Sequence, residues 1–79
     1  MSPTIFREGP YRFFFFSREE SRMHVHVASS DGEAKFWLEP RVALAENHGL
    51  PEQEITTIAK ILDRRSDEVR AAWRRHFAS

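Results

Sequence analysis

Apolar and polar residues alternate one by one along residues 24–27 and again along residues 34–39, within the segments 24–29 and 33–39. Successive side chains of a β-strand point to opposite sides, so a period of two predicts strands that are buried on one face only. The pattern therefore predicts two half-buried strands, with the polar residues of both on the opposite face. The apolar side consists of Val25, Val27, Ala34, Phe36 and Leu38.

The dipeptide Asp31-Gly32 separates the two alternating segments. Asp-Gly is a preferred central pair of the two-residue type I′ turn, which joins neighbouring antiparallel strands. With this pair at the tip, His26 would face Trp37. In the same register, His24 would face Glu39. The sequence thus predicts a β-hairpin whose polar side gathers side chains that are capable of chemistry.

The N-terminal part of the chain predicts two more strands, at residues 4–7 and 11–17, with Gly9-Pro10 as the turn between them. The second strand contains four consecutive phenylalanines, Phe13 to Phe16. Such a run suits a strand that is covered on both faces, because at a sheet edge it would promote aggregation. We therefore expect residues 11–17 to lie inside the sheet.

The C-terminal half predicts helical structure. Residues 41–48 are expected to form a short helical turn that ends at Gly49. From Pro51 onward, apolar residues recur at intervals of three, four and seven, which predicts an amphipathic helix over about residues 51–77. A kink near Arg64–Ser66 is left open, since serine is a good helix cap. The apolar stripe consists of Ile55, Ile58, Leu62, Val69, Trp73 and Phe77.

These elements predict one α+β domain over residues 1–79, in which a four-stranded, mainly antiparallel sheet is packed on one face by a long C-terminal helix. The chain has no cysteine, which excludes a disulfide framework and a thiolate metal site. Its net charge is zero, which argues against a purely electrostatic nucleic-acid binder. Residues 1–7 lack a signal-peptide pattern, and the longest apolar run is too short to span a bilayer. We therefore expect a cytoplasmic protein without membrane contact.

Four segments of the chain carry a family resemblance: residues 4–7, 11–17, 24–27 and 33–40. The most specific part is the His-x-His strand followed by Lys-Phe-Trp-Leu-Glu. Together these segments resemble a family of small bacterial proteins known as domain of unknown function 4160. The resemblance implies that a second small protein is encoded alongside, in an arrangement similar to a toxin–antitoxin pair. It implies no particular activity, because the family has no settled one. The family usually has two prolines before the first histidine, where this chain has Arg22-Met23.

The polar side of the hairpin has the residues for acid–base catalysis. The Cα atoms of His24 and His26 would lie roughly 6.5–7 Å apart along the strand, so their rings can flank one phosphate. Histidine both takes and gives protons near neutral pH, and Lys35 would neutralise charge that builds on phosphorus. Glu39 would orient the ring of His24. This set predicts a metal-independent ribonuclease that needs no cofactor.

Substrate binding is assigned to two further residues of this face. Trp37 would stack on a base, and Arg12 would clamp it, as in proteins that bind single-stranded RNA. A solvated strand face with no function is the competing interpretation, although a bare indole there would expose much apolar area. His48 and His76 are interpreted as surface residues, and Trp73 as part of the core.

Two alternatives to catalysis remain open. Two histidines at alternate strand positions can hold a metal ion with a carboxylate from Glu39, Glu19 or Glu20, although Lys35 would disfavour a cation there. Without any chemistry, the aromatic and arginine content of the face suits protein–protein recognition.

The leading hypothesis is a toxin-like component of a bacterial two-protein module that acts on RNA. The alternative is a non-catalytic interaction module, either the antitoxin or a regulator, and the third is a metal-binding protein. The expected partners are the co-encoded protein and RNA, and self-association is left open.

Overall fold

The computed structural model describes residues 4–16 and 22–77. This part of the chain forms a five-stranded sheet and two helices, which confirms the α+β class. None of the helices in it is long and apolar enough to cross a membrane. The elements in chain order are β1 (Thr4–Glu8), β2 (Tyr11–Phe14), β3 (His24–Ser29), β4 (Gly32–Trp37), β5 (Ala43–His48), α1 (Glu52–Arg64) and α2 (Ser66–Phe77).

The sheet is an antiparallel meander in which each strand pairs with its neighbours in the sequence, in the order β1-β2-β3-β4-β5. The prediction of four strands was wrong, because residues 43–48 pair with β4 as an edge strand instead of forming a helical turn. Five of the six side chains of β5 are exposed. Its pairing is therefore made by backbone hydrogen bonds, which the hydrophobic pattern does not reveal.

One face of the sheet packs against both helices, as the alternation predicted. Val25 and Val27 of β3 are completely buried, and Ala34, Phe36 and Leu38 at the other strand of the hairpin are at most 3% exposed. The helices contribute Ile58, Leu62 and Val69, which are completely buried in the same core. We call this side of the sheet the helix face.

The phenylalanine run lies inside the sheet, where it was expected. Phe13 points to the helix face and Phe14 to the opposite side, and both are buried because β2 lies between β1 and β3. The strand is shorter than predicted and ends at Phe14. Phe15 is buried beyond the strand end, whereas Phe16 is 41% exposed. Residue 17, the last of the predicted strand, lies outside the described residues.

The C-terminal segment is two helices and not the single long helix that was predicted, and the break falls where the sequence allowed a kink. Arg65 separates them, and its guanidinium lies 3.5 Å from the centre of the Phe6 ring. The same guanidinium forms an ion pair with Glu8 at 2.9 Å, and Arg64 also pairs with this carboxylate. The junction between α1 and α2 is thus attached to the edge strand β1.

The register of the β3–β4 hairpin differs from the predicted one. Ser29 pairs with Gly32, so the two loop residues are Ser30 and Asp31. Gly32 has no positive φ, and a Cβ atom at this position would clash with the backbone oxygen of His48. Glycine is therefore required for close contact with the end of β5 and not for a type I′ turn. The partners shift by two positions, so each side chain keeps its face.

Candidate functional site

The side of the sheet opposite the helix face carries the polar residues of the hairpin. His24 lies opposite Trp37, and His26 lies opposite Lys35. On the other side of β3, His26 is the register partner of Phe14. The strand pairing thus brings most of the predicted site residues to one side of the molecule. We call this side the histidine face and define it by Arg12, Phe14, His24, His26, Lys35 and Trp37.

His24 is completely buried, although its predicted role in catalysis needs a ring that reaches the substrate. Its ring centre lies 5.2 Å from that of Trp73 on α2 and 5.8 Å from that of Trp37. Its Nδ1 atom lies 2.7 Å from the backbone oxygen of Arg22. Since a carbonyl oxygen only accepts, Nδ1 carries the proton and donates it in this bond. Helix α2 reaches this histidine because Trp73 extends to the start of β3.

His26 is half-buried between aromatic rings. Its ring centre lies 4.3 Å from that of Phe16 and 5.6 Å from that of Phe14, and the ring of His24 meets it edge-on at 5.2 Å. Its Nε2 atom is buried. The two imidazoles therefore contact each other within an aromatic cluster and do not face each other across an open gap.

Trp37 is half-buried and contacts two cations. The guanidinium carbon of Arg22 is 4.1 Å from the ring centre, and the Nζ atom of Lys35 is 4.7 Å from it. Arg22 also donates from Nε and a terminal nitrogen to the backbone oxygen of Glu39, at 3.2 Å each. Lys35 lies 4.0 Å from the carboxylate of Glu46 on β5. The guanidinium of Arg22, an exposed residue, therefore covers part of the Trp37 ring.

Glu39 does not orient His24, contrary to the prediction. The shifted register places Trp37 opposite His24, and β4 ends before Glu39 is reached. The carboxylate lies 3.5 Å from Nε of Arg70 on α2. The same arginine donates to the backbone oxygen of Leu38 at 2.7 Å. Glu39 therefore helps to hold α2 against the end of β4.

Arg12 is held at the opposite end of the histidine face. Its Nε atom donates to the hydroxyl oxygen of Thr4 at 2.7 Å, and its guanidinium carbon lies 4.5 Å from the centre of the Phe14 ring. On β1, Arg7 is its direct register partner. The two arginines border a cavity of about 280 Å³ that is lined by Arg7, Pro10, Arg12, Ala28, Ser29 and Ser30. We call this cavity the arginine pocket.

Sequence reasoning missed Arg7 and Arg22 as members of this surface. The sequence did contain a signal for Arg7, because counting outward from the Gly9-Pro10 turn pairs it with Arg12. Arg22 had no such signal, since it lies outside the strands and reaches Trp37 only through the folded chain.

The metal hypothesis gains no support from the structure of residues 4–16 and 22–77. They contain no group of three or more histidine, aspartate and glutamate side chains that could hold an ion. Glu39, the expected third ligand, is engaged by Arg70. Glu19 and Glu20, the other carboxylates considered, lie outside the described residues.

These features define a small α+β protein with helices on one side of its sheet and an aromatic face bordered by cations on the other. The chain belongs to the family described as domain of unknown function (DUF4160), whose family model matches residues 11–74. The match runs from β2 to just past Trp73 and includes the whole histidine face. No curated protein and no solved structure gives a significant match to the chain.

Proposed function

We propose that this protein binds single-stranded RNA on its histidine face, as one component of a bacterial two-protein module. The observation that carries the proposal is an exposed phenylalanine, Phe16, beside a row of aromatic rings that has an arginine at each end. Proteins that bind single-stranded RNA combine stacking platforms with cationic groups in this way. The module itself rests on the gene arrangement that the family resemblance implies.

The row crosses three strands of the sheet, β2, β3 and β4. Consecutive ring centres lie 5.6 Å apart from Phe14 to His26, 5.2 Å from His26 to His24 and 5.8 Å from His24 to Trp37. Arg12 lies over the first ring and Arg22 over the last. The buried rings form a rigid base, and a nucleic-acid strand along the row would find a guanidinium at both ends.

The accessible parts of the row are suited to stacking. Phe16 is 41% exposed, and its ring lies over His26. Arg22 is exposed above Trp37, and a guanidinium plane stacks on a base as an aromatic ring does. Bases would therefore stack on Phe16 and Arg22. The phosphates would lie towards the cationic ends of the row.

Binding is better supported than acid–base cleavage. A ribonuclease of the predicted kind needs two imidazoles that reach the substrate, but His24 is completely buried and its Nδ1 proton is donated to a backbone oxygen. Binding through Phe16 and Arg22 needs no such rearrangement. The ribonuclease hypothesis would require the ring of His24 to leave its contact with Trp73.

A second function is favoured by the edge of the sheet. Leu44 on β5 is 45% exposed, and β5 is paired on one side only within the described part of the chain. An edge strand with an exposed apolar residue is suited to pairing with a strand of another protein. We propose that the co-encoded partner binds at this edge, away from the histidine face.

The test is fluorescence anisotropy with labelled single-stranded oligoribonucleotides. We expect Phe16→Ala to weaken binding by about 5- to 150-fold, because base–aromatic stacking contributes about 1–3 kcal/mol per base. Leu44→Ala is the matched control, since it removes a similarly exposed apolar side chain from β5, and it should leave the affinity unchanged. Absence of binding by the wild type, or an equal effect of both variants, would reject the proposal.

A further inference from the structure

We infer that the arginine pocket binds a phosphate group. The inference deepens the proposed function and rests on it for the source of that phosphate, which we take to be the RNA strand on the histidine face. The pocket adjoins the aromatic row, because Arg12 both lines it and lies over the ring of Phe14.

The strongest argument is the pairing of two like charges. Arg7 and Arg12 are direct partners across β1 and β2, and like charges at such positions destabilise a sheet. No carboxylate in residues 4–16 and 22–77 lies within salt-bridge distance of Arg7. Both arginines line the pocket, so an anion bound there would neutralise the charge of Arg7, and arginine binds phosphate in a bidentate manner.

The serines of the hairpin loop add hydrogen-bond donors. The backbone N–H of Asp31 donates to the Oγ atom of Ser29 at 3.2 Å. Because this bond uses a lone pair of the oxygen, the hydroxyl proton of Ser29 is directed elsewhere and is available to a ligand. Ser30 is exposed beside it. The pocket thus combines two cations with two hydroxyl groups, a donor set that matches the oxygens of phosphate.

The pocket has room for a phosphate group. Its volume of about 280 Å³ lies just below the range of typical small-molecule sites, roughly 300–1,000 Å³. Ala28, the register partner of Arg12, contributes no more than a methyl group to the lining. The contacts of Arg12 with Thr4 and Phe14 hold its guanidinium in place, which reduces the entropy cost of binding an anion.

The first experiment uses inorganic phosphate and follows backbone amide shifts by NMR. We expect saturable shifts at Ala28, Ser29 and Ser30 in the wild type and their loss in Arg7→Gln. Ala28→Leu should also abolish them, because it fills the pocket without removing a charge, and thermal melts of each variant exclude unfolding as the cause. Arg41→Gln, which removes an exposed arginine outside the pocket, should leave the shifts intact. Absence of shifts in the wild type would overturn the inference, whether or not the protein binds RNA.

The second experiment identifies the source of the phosphate with three forms of one oligoribonucleotide: 5′-phosphorylated, 3′-phosphorylated and unphosphorylated. Tighter binding of one phosphorylated form, lost in Arg7→Gln, would assign a terminal phosphate. Equal binding of all three, with the salt slope of log affinity reduced by about 0.7 in Arg7→Gln but not in Arg41→Gln, would assign an internal one. If Arg7→Gln and Arg41→Gln behave alike with RNA, the link between pocket and strand is wrong.

The two experiments separate the inference from the proposed function. If the wild type binds no RNA but phosphate still shifts the pocket amides, the RNA-binding proposal fails. The pocket then stands as a site for the phosphate of a small molecule. If RNA binds through Phe16 while phosphate shifts nothing, the pocket inference fails and the RNA-binding proposal stands.

Discussion

His24 on β3 lies against Trp73 on α2, with their ring centres 5.2 Å apart and the imidazole completely buried. The first histidine of the His-x-His strand is therefore part of the contact between sheet and helix. The same ring also contacts His26 and Trp37, with ring centres 5.2 Å and 5.8 Å away. A substitution at His24 should thus act first on folding and only through folding on binding.

The His24→Ala variant is expected to lose about 2–4 kcal/mol of unfolding free energy, measured by urea denaturation. The substitution leaves a cavity among three aromatic rings and removes the partner of the Arg22 carbonyl group. The control is His48→Ala on β5, where the imidazole is 68% exposed and the loss should stay within about 0.5 kcal/mol. Equal stability of the two variants would show that His24 is not a structural residue.

The Gly32→Ala variant is expected to lose about 1–3 kcal/mol, because its methyl group would meet the backbone oxygen of His48 and push β5 away from the hairpin. Gly9→Asn is the control. Gly9 has a φ of 58° and open space around it, and asparagine tolerates this conformation, so the loss should be small. Thermal denaturation measures both, and an unchanged melting temperature in Gly32→Ala would contradict the proposed cause of the register.

Stability should fall on acidification through the titration of Glu8 and Glu68. The hydrogen bond with Arg65 is the largest cause that lowers the pKa of each carboxyl below its ordinary value of 4.5. A group with a lowered pKa in the folded state binds fewer protons there than in the unfolded state. Its stabilisation is thus present above about pH 4.5 and is lost as the pH falls through the folded-state pKa.

Titration of Glu54 changes the stability in the opposite direction. A hydrogen bond with Asp31 is the largest cause that raises its pKa above 4.5. Its contribution is therefore present below that pH and is lost as the pH rises through the raised folded-state pKa. The two effects are separated by comparing melting temperatures between pH 3 and 7 for the Glu8→Gln/Glu68→Gln double variant and the wild type.

The double variant should lose most of the destabilisation that acid causes in the wild type. The Glu33→Gln/Glu52→Gln variant removes two exposed carboxylates that form no salt bridge with other described residues, and it should retain the wild-type profile. If both double variants give the same pH profile, the contacts of Arg65 do not control the acid response.

Growth assays connect the two proposed surfaces with the two-protein module. Expression of the protein alone should slow bacterial growth, and co-expression of the neighbouring gene product should restore it. Phe16→Ala should relieve the growth defect, because it removes a stacking surface for RNA. Leu44→Ala should remain inhibitory and lose protection by the neighbour, because the partner is proposed to bind at β5. An inhibitory effect that neither substitution changes would contradict both surface assignments.

The face on which each hairpin side chain lies was predictable from the sequence. Alternation with a period of two is a local property of extended backbone, and it holds in any register that preserves strand pairing. This is why Val25, Phe36 and Leu38 are buried against the helices as expected, although the predicted pairs were two positions off. The helical repeat after Pro51 is equally local, so it too was readable without a structure.

Long-range contacts decided the rest. The register follows from the closeness of Gly32 to the His48 carbonyl group, and β5 follows from backbone pairing with β4. The burial of His24 comes from Trp73, which is 49 positions away in the chain. The sequence by itself determined the periodicities, and therefore the faces, since these depend on backbone geometry over a few residues. Only the tertiary structure decided which reactive side chains stay accessible, because accessibility depends on which distant elements pack over them.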